Sequence, residues 1–289
     1  MARGEVVTHK YLTVAGLVPE PVTVRAPLGI RFKDLLAHVG VDQSRLGGVI
    51  EGGVMMGRLV EGEDEVVTRI TGGLLCFPEG HGLLRRYGTD RSSRDLIGKS
   101  ACDQCTFCTQ LCPRYLLGHP VEPHLAMRGL EFNLSGDGMK LGSQFCSGCN
   151  LCSLYSCPEG LYPKDACTGD KQDMRAKGLE HPAKGIDTLP HSMREFRKIP
   201  VSSLMKKLDL VGFDNRGPLV DVQWAPGEIS IPLSQHIGAP AIASVSLGDH
   251  VQVAQVIGTA PEGLGVPVHA SMAGVVTAVD QNITIRTGL

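Results

Sequence analysis

The stretch Cys102-Asp-Gln-Cys105-Thr-Phe-Cys108-Thr-Gln-Leu-Cys112-Pro113 has a later counterpart, Cys146-Ser-Gly-Cys149-Asn-Leu-Cys152-Ser-Leu-Tyr-Ser-Cys157-Pro158. Together they hold eight of the ten cysteines in the 289-residue chain. A four-iron cubane needs four thiolates arriving from different directions. Three cysteines at two-residue spacing wrap one side of it, and a fourth, followed by a proline that turns the chain away, closes the other. Structural zinc is the competing reading, but it favours paired Cys-x2-Cys knuckles with no third cysteine in regular register. The spacing therefore points to iron–sulfur. In two-cluster ferredoxin-like modules the fourth cysteine of each set serves the other set's cluster. That pattern assigns Cys102, Cys105, Cys108 and Cys157 to one cluster, and Cys146, Cys149, Cys152 and Cys112 to the second. The second set has four residues, not three, before its last cysteine. The chain around Cys157 must therefore bulge by one residue.

Composition narrows the class. The formal net charge is -2, from 28 basic and 30 acidic residues; no basic stripe argues for nucleic acid. No apolar run approaches the roughly 20 residues that span a bilayer. The opening Met-Ala-Arg-Gly-Glu-Val-Val-Thr lacks the apolar core of a secretory signal. Ten cysteines in a chain expected to stay inside the cell read as metal ligands in a reducing cytoplasm. With 42% apolar residues the chain has material for two or three domains, and 36 glycines and 18 prolines favour short strands and irregular loops.

Working outward, residues 9–87 read as a β-grasp unit. Lys10–Gly16 alternates as a strand, Val22–Arg25 is its hairpin partner, and Phe32–Val39 has helical spacing. Val66–Ile70 and Leu74–Phe77 are expected to supply two returning strands. The loop Gly52-Gly-Val-Met-Met-Gly57 is either an approach for a flat ligand such as a flavin or a tight turn with Met55 and Met56 filling a gap. Cys76 reads as a buried small hydrophobe. Residues 88–100 look like a polar linker, with a helical turn over Asp95–Lys99. The cluster domain is expected over 95–170, with a helix from Pro123 to Leu130 or Leu134 and a core of Leu125, Leu130 and Leu134. His119 and His124 are assigned structural or hydrogen-bonding roles, because eight thiolates already satisfy two cubanes, and Cys167 is assigned to packing.

Residues 171–226 read as a helical and linker segment with short amphipathic helices over Ser192–Ile199 and Val201–Leu208. Their basic residues Arg194, Arg197, Lys198, Lys206 and Lys207 suit a solvated face or an acidic partner. From 227 to 289 short strands alternate with glycine turns, as in an all-β barrel-sandwich hybrid. The Ser271-Met-Ala-Gly segment resembles biotinyl and lipoyl carriers, but no lysine follows Lys207, which rules out a swinging arm.

Several stretches carry a resemblance to the PduS-type cobalamin reductases of propanediol-utilisation microcompartments, related to the RnfC subunit of membrane electron-transport complexes. These are Leu12-Thr-Val-Ala-Gly, the Gly52–Gly57 loop, Thr71-Gly-Gly-Leu-Leu, both cysteine sets, and Cys112-Pro-Arg-Tyr-Leu-Leu-Gly-His119. Gln235-His-Ile-Gly-Ala239 and Pro267-Val-His-Ala-Ser-Met-Ala-Gly-Val-Val276 complete them. The likeness runs from about residue 9 to 286, and a sandwich that follows the clusters is the order of the cobalamin reductases. It implies an α+β multidomain chain: an SLBB β-grasp domain, a two-cluster ferredoxin-like [4Fe-4S] domain with helices, and a C-terminal barrel-sandwich hybrid. It also implies electrons flowing from NADH through FMN to the clusters and on to corrinoid. Two departures stand out. Val54 replaces the loop proline of the family, and nothing in the sequence corresponds to its N-terminal glycine-rich FMN/NADH domain.

The function expected is that of an electron-transfer module, the oxidoreductase part of an NADH-dependent cobalamin reductase that does not oxidise NADH alone. FMN and NADH belong on a separate flavin domain or subunit, and cob(II)alamin is the expected acceptor. A corrinoid adenosyltransferase and the microcompartment shell are further expected partners, and the lumen of the microcompartment is the expected location. The alternatives are an RnfC-like peripheral electron-transport subunit and a scaffold with structural clusters. No triad or carboxylate pair marks a catalytic residue.

Overall fold

The alternation from His9 produces strand β1 (His9–Gly16), whose Leu12 and Val14 are buried. Its hairpin partner β2 (Val22–Pro27) pairs Leu12 with Val24 and Val14 with Val22. Helix α1 (Phe32–His38) buries Phe32, Leu35 and Leu36. The chain returns through β3 (Leu46–Glu51), β4 (Arg58–Leu59) and β5 (Gly73–Pro78), with β5 parallel to β1 and antiparallel to β3. The computed structural model describes residues 5–288 apart from 63, 133–136, 184, 186, 214 and 215, and the side chains of 131 and 132 also lie outside it. Leu134, expected in the core, is therefore outside the described residues.

Val66–Ile70 is not a strand. The Val67 N–H donates to the Ile30 carbonyl and the Gly29 N–H to the Val67 carbonyl, so this stretch bonds the connection between β2 and α1 instead of the sheet. Val66 makes only an isolated bridge with Arg31, and Thr68–Thr71 then closes a turn. Met56 is 66% exposed, so it fills no gap in the Gly52–Gly57 turn. Cys76 is fully buried, and that burial pushes its thiol up to about 12.

The chain forms two compact units. The first takes residues up to Leu84 and again after 215; the second runs from Arg85 to 214. After the helices of the second unit, β6 (Leu219–Val220) joins the first sheet parallel to β2, within what reads as a linker, giving the order β4-β3-β5-β1-β2-β6. Trp224 then packs against the same core, and its indole N–H donates to the Arg25 carbonyl.

The rest of the first unit is the β-sandwich. β7 (Glu228–Pro232), β8 (Ile242–Ala243), β9 (His250–Val251), β10 (Val256–Thr259), β11 (Val268–His269), β12 (Gly274–Val279) and β13 (Asn282–Arg286) form two sheets. Ile229 and Ile231 face the same way as their partners Ile285 and Ile283, and all four are fully buried. Burying each contributes about 2 kcal/mol. Contacts within this unit tie the sandwich to the first sheet: Ser230 N–H to the Gly29 carbonyl, Ser271 Oγ to the Leu28 carbonyl, and Arg69 N–H to Gln235 Oε1.

In the second unit the segment read as a linker is largely helical. Asp90 caps α2 (Arg91–Ala101) by accepting from the Ser93 N–H, which satisfies a donor the first turn would leave unpaired. Helix α3 (Pro123–Phe132) packs against α4 (Pro163–Ala176). Of the two short helices expected further on, Val201–Lys207 forms, but Ser192–Ile199 shrinks to one 3-10 turn over Arg194–Phe196. Phe196 is 80% exposed there, so no apolar face offsets the cost of a longer helix.

The sharpest backbone constraint in the first unit is Gly16, at φ +93°, where a Cβ would sit 2.1 Å from the Cys76 carbonyl oxygen. Gly16→Ala is expected to destabilise this unit by about 2 kcal/mol or more. A urea titration followed by Trp224 fluorescence should show a lower midpoint; an unchanged midpoint contradicts the turn.

Candidate metal centre

The two cysteine loops are built alike from the backbone upward. In the first, Gln104 (φ 58°) and Thr106 (φ 66°) are left-handed; in the second, Gly148 (φ 70°) and Asn150 (φ 66°) stand at the same offsets. Glycine and asparagine accept that conformation readily, whereas β-branched Thr106 does so at a cost of about 1–2 kcal/mol. Cys108 lies in the short helix Phe107–Gln110, and Cys112 caps the next, Pro113–Leu116, whose proline stands in its first turn. The extra residue of the second set is absorbed as a π-helical turn, Cys152–Ser156, in which the Cys157 N–H donates to the Cys152 carbonyl five residues back at 3.0 Å.

This folding brings the cysteines together in two groups. Cys157 is an electrostatic neighbour of Cys102 and Cys108, with Cys105 beside them. Cys112 neighbours Cys146 and Cys149, and all three act on Cys152. Among the described residues no three His, Cys, Asp or Glu side chains converge as a single metal ion would require. A cubane makes a different demand, since each of its four irons takes one thiolate and its ligands stand further apart.

The electrostatics suit a positively charged metal core. Burial pushes the Cys108 thiol up to about 12, reinforced by its cysteine neighbours, and likewise raises Cys102, Cys112 and Cys152. Thiolates buried this way need a cation, and coordination deprotonates a thiol outright. Donors already point at the sulfurs: Gly148 N–H at Cys146 (3.4 Å), Leu161 N–H at Cys157 (3.3 Å) and Gln104 Nε2 at Cys102 (3.3 Å). The donor set therefore fits iron–sulfur clusters.

Cys167 does more than pack. It is fully buried and donates its S–H to Cys146. That hydrogen bond, with the Gly148 N–H, Lys171 and Lys164, outweighs burial and brings the Cys146 thiol down to about 6, while Cys167, the donor, is pushed well up. His124 bonds Thr109 Oγ1 at 2.8 Å and His119 stacks on Phe145, both structural roles.

Two arginines that sequence reasoning missed brace the Cys157 loop. Arg86 donates to the carbonyls of Ser153, Gly160 and Leu161. Arg94 pairs with Asp165 at 2.5 Å and donates to the carbonyls of Arg86 and Tyr87, and both guanidiniums lie within 5 Å of the Tyr162 ring. Nothing in the local sequence distinguishes them from surface arginines.

Comparison with known proteins is consistent with this geometry. Residues 101–162 match the 4Fe-4S dicluster domain, and residues 216–288 match the RnfC barrel sandwich hybrid domain. Over 98% of its length the chain is 38% identical to cobalamin reductase PduS of Salmonella typhimurium and 37% identical to that of Citrobacter freundii. It spans 63% of the length of each. A stretch of 56 residues, 19% of the chain and 13% of the relative, is 45% identical to a component of the Na(+)-translocating ferredoxin:NAD(+) oxidoreductase complex of Acetobacterium woodii. The likeness to the PduS-type cobalamin reductases and to RnfC, read from the sequence motifs, is borne out by these matches. No helix among the described residues is long and apolar enough to cross a membrane.

Arg94→Ala is expected to cost about 3 kcal/mol at neutral pH, the lower end for a buried pair, because the side chains of Arg94 and Asp165 keep 18% and 14% exposure. Burial alone would raise the Asp165 carboxyl, but the hydrogen bonds and charges of Arg94 and Lys164 hold it below the usual range. Its stabilising effect is therefore present above the unfolded carboxyl pKa of about 3.9 and lost as pH falls through the lower folded value. Thermal melts followed by circular dichroism should show the gap between wild type and variant closing from pH 7 towards about pH 3; a gap that does not change with pH argues against the pair.

Proposed function

We propose that this chain holds two [4Fe-4S] clusters within residues 95–170 and passes electrons from a flavin- and NADH-oxidising domain or subunit to cob(II)alamin. The observation that carries the reading is the placement of Cys157 with the first triplet and Cys112 with the second. Cys102, Cys105, Cys108 and Cys157 would hold one cluster, and Cys146, Cys149, Cys152 and Cys112 the other. When bound, the clusters supply one-electron oxidation and reduction, which requires no protein acid or base. The chain's own part is to bind and tune. Met127, Leu161 and Ala166 pack with Cys102, Cys146 and Cys157, and the N–H groups of Gly148 and Leu161, with the thiol of Cys167, donate to sulfur.

Cobalamin as acceptor rests on the two relatives named cobalamin reductases, which the chain matches over most of its own length. The same kinship supports FMN and NADH on the electron-supplying partner, a corrinoid adenosyltransferase or the shell as neighbours, and residence in a microcompartment. It also supports an SLBB identity for the β-grasp domain of residues 9–87, beside a helical linker over 171–226 and a barrel-sandwich over 227–289. A role at the periphery of a membrane electron-transport complex draws on the shorter likeness to the Acetobacterium woodii protein, which covers 19% of the chain against 98% for the cobalamin reductases.

Anaerobically reconstituted protein should contain about eight irons and show reduced-cluster paramagnetic resonance signals; about two zincs and no iron would sink the proposal. Paired substitutions test the crossing. Cys105→Ala with Cys157→Ala strikes one cluster and should leave about four irons, whereas Cys105→Ala with Cys112→Ala strikes both and should leave almost none. The reverse ranking would mean that each fourth cysteine serves its own set.

A further inference from the structure

The surface of the second unit carries two adjoining grooves of about 430 and 770 Å³ that share Leu111 and Arg197. Their floors are apolar and flank the cysteines directly in the chain. Phe107 precedes Cys108, Leu111 precedes Cys112, Leu151 precedes Cys152, and Pro158 follows Cys157. One peptide bond thus separates the groove lining from cysteines of both groups. Phe107 is 48% exposed and Val201 is 70% exposed.

The rim has a single sign. Arg194, Arg197, Lys198, Lys206 and Lys207 line the grooves, and no Asp or Glu does. Glu195 engages Arg194 and Lys198, but among the described residues Arg197, Lys206 and Lys207 have no ion-pair partner. A helix exposed only to solvent gains nothing from apolar side chains beside unpaired cations. An apolar floor inside a charged rim is how a transient protein contact is built, with the rim steering encounter and the floor supplying desolvated contact.

We propose that these grooves dock an electron-transfer protein whose acidic rim surrounds an apolar redox edge, and that electrons cross here between that protein and the clusters. The inference rests on the two-cluster reading above. In each transfer the reduced partner loses one electron and the oxidised cluster gains it; no bond forms or breaks. The same basic, apolar surface meets the chemistry of an anionic membrane, but recessed floors beside four cysteines favour a protein.

The test uses the cluster-loaded full chain and, as probe, an acidic flavodoxin in its fully reduced form, mixed anaerobically in a stopped-flow instrument. The wild-type second-order rate should fall about tenfold between about 20 and about 500 mM salt. The triple variant Arg197→Glu, Lys206→Glu, Lys207→Glu should start about tenfold slower and lose most of that salt dependence. Its reduction by methyl viologen radical, a small cation, should stay within about twofold of wild type or rise, showing intact clusters. A variant that keeps the wild-type flavodoxin rate at low salt, with about eight irons and normal viologen reduction, overturns the docking proposal and leaves the two-cluster reading standing. A chain that holds no iron overturns both. Binding to phosphatidylglycerol vesicles that the triple substitution abolishes, with an unchanged flavodoxin rate, overturns docking in favour of a membrane surface.

Discussion

The constraint on which the second unit depends is the gathering of eight thiols, four of them buried, into two groups, with Cys157 beside the first triplet and Cys112 beside the second. Unpaired thiolates in such surroundings are costly, as the upward push on Cys108 and Cys152 shows. In the two-cluster reading a positively charged cluster in each group would offset that cost, and metal binding would then be linked to folding of this unit. Crossing adds a second link. Cys102, Cys146 and Cys157 pack in one apolar core with Met127 of α3, Ala166 of α4 and Leu161 just before α4. Neither loop can finish its site until those helices are packed.

The first unit answers a different demand. Its mixed sheet and its sandwich meet through backbone and buried polar groups: Gly29 to Ser230, Leu28 to Ser271, Arg69 to Gln235. Gln235 and Ser271 belong to the stretches that carry the resemblance to PduS-type reductases. Their placement gives those motifs a structural meaning: they join two β layers within one unit, and they need not touch any electron carrier.

The dicluster domain was legible because cluster chemistry dictates residue type and spacing together, leaving packing little to decide. Strand alternation likewise exposed β1, β2, β7 and β13. The failures came where long-range bonds override local pattern. Val66–Ile70 has strand composition, but its hydrogen bonds go to Gly29 and Ile30. Residues 88–100 read as a linker because the helix over 91–101 depends on the Asp90 cap and on packing against α3. Arg86 and Arg94 act on carbonyls as far as 75 residues away, which no local signal reports.

The two cysteine loops share offsets, left-handed residues and a proline after the last cysteine, but their surroundings differ. The charges that bear most on Cys102 and Cys108 are those of other cysteines and of Asp103, whereas Cys146 has Lys171, Lys164 and the donor thiol of Cys167. The turn before the fourth cysteine differs as well, π-helical in the second set. Charge, hydrogen bonds to sulfur and burial are the means by which a protein sets a cluster's potential. Two loops that match in spacing through their first three cysteines would therefore present their clusters with unequal fields. The inequality arises on α4, whose Lys164, Cys167 and Lys171 all bear on Cys146 of the second group. A duplicated motif becomes two distinguishable sites through the single helix laid across one of them.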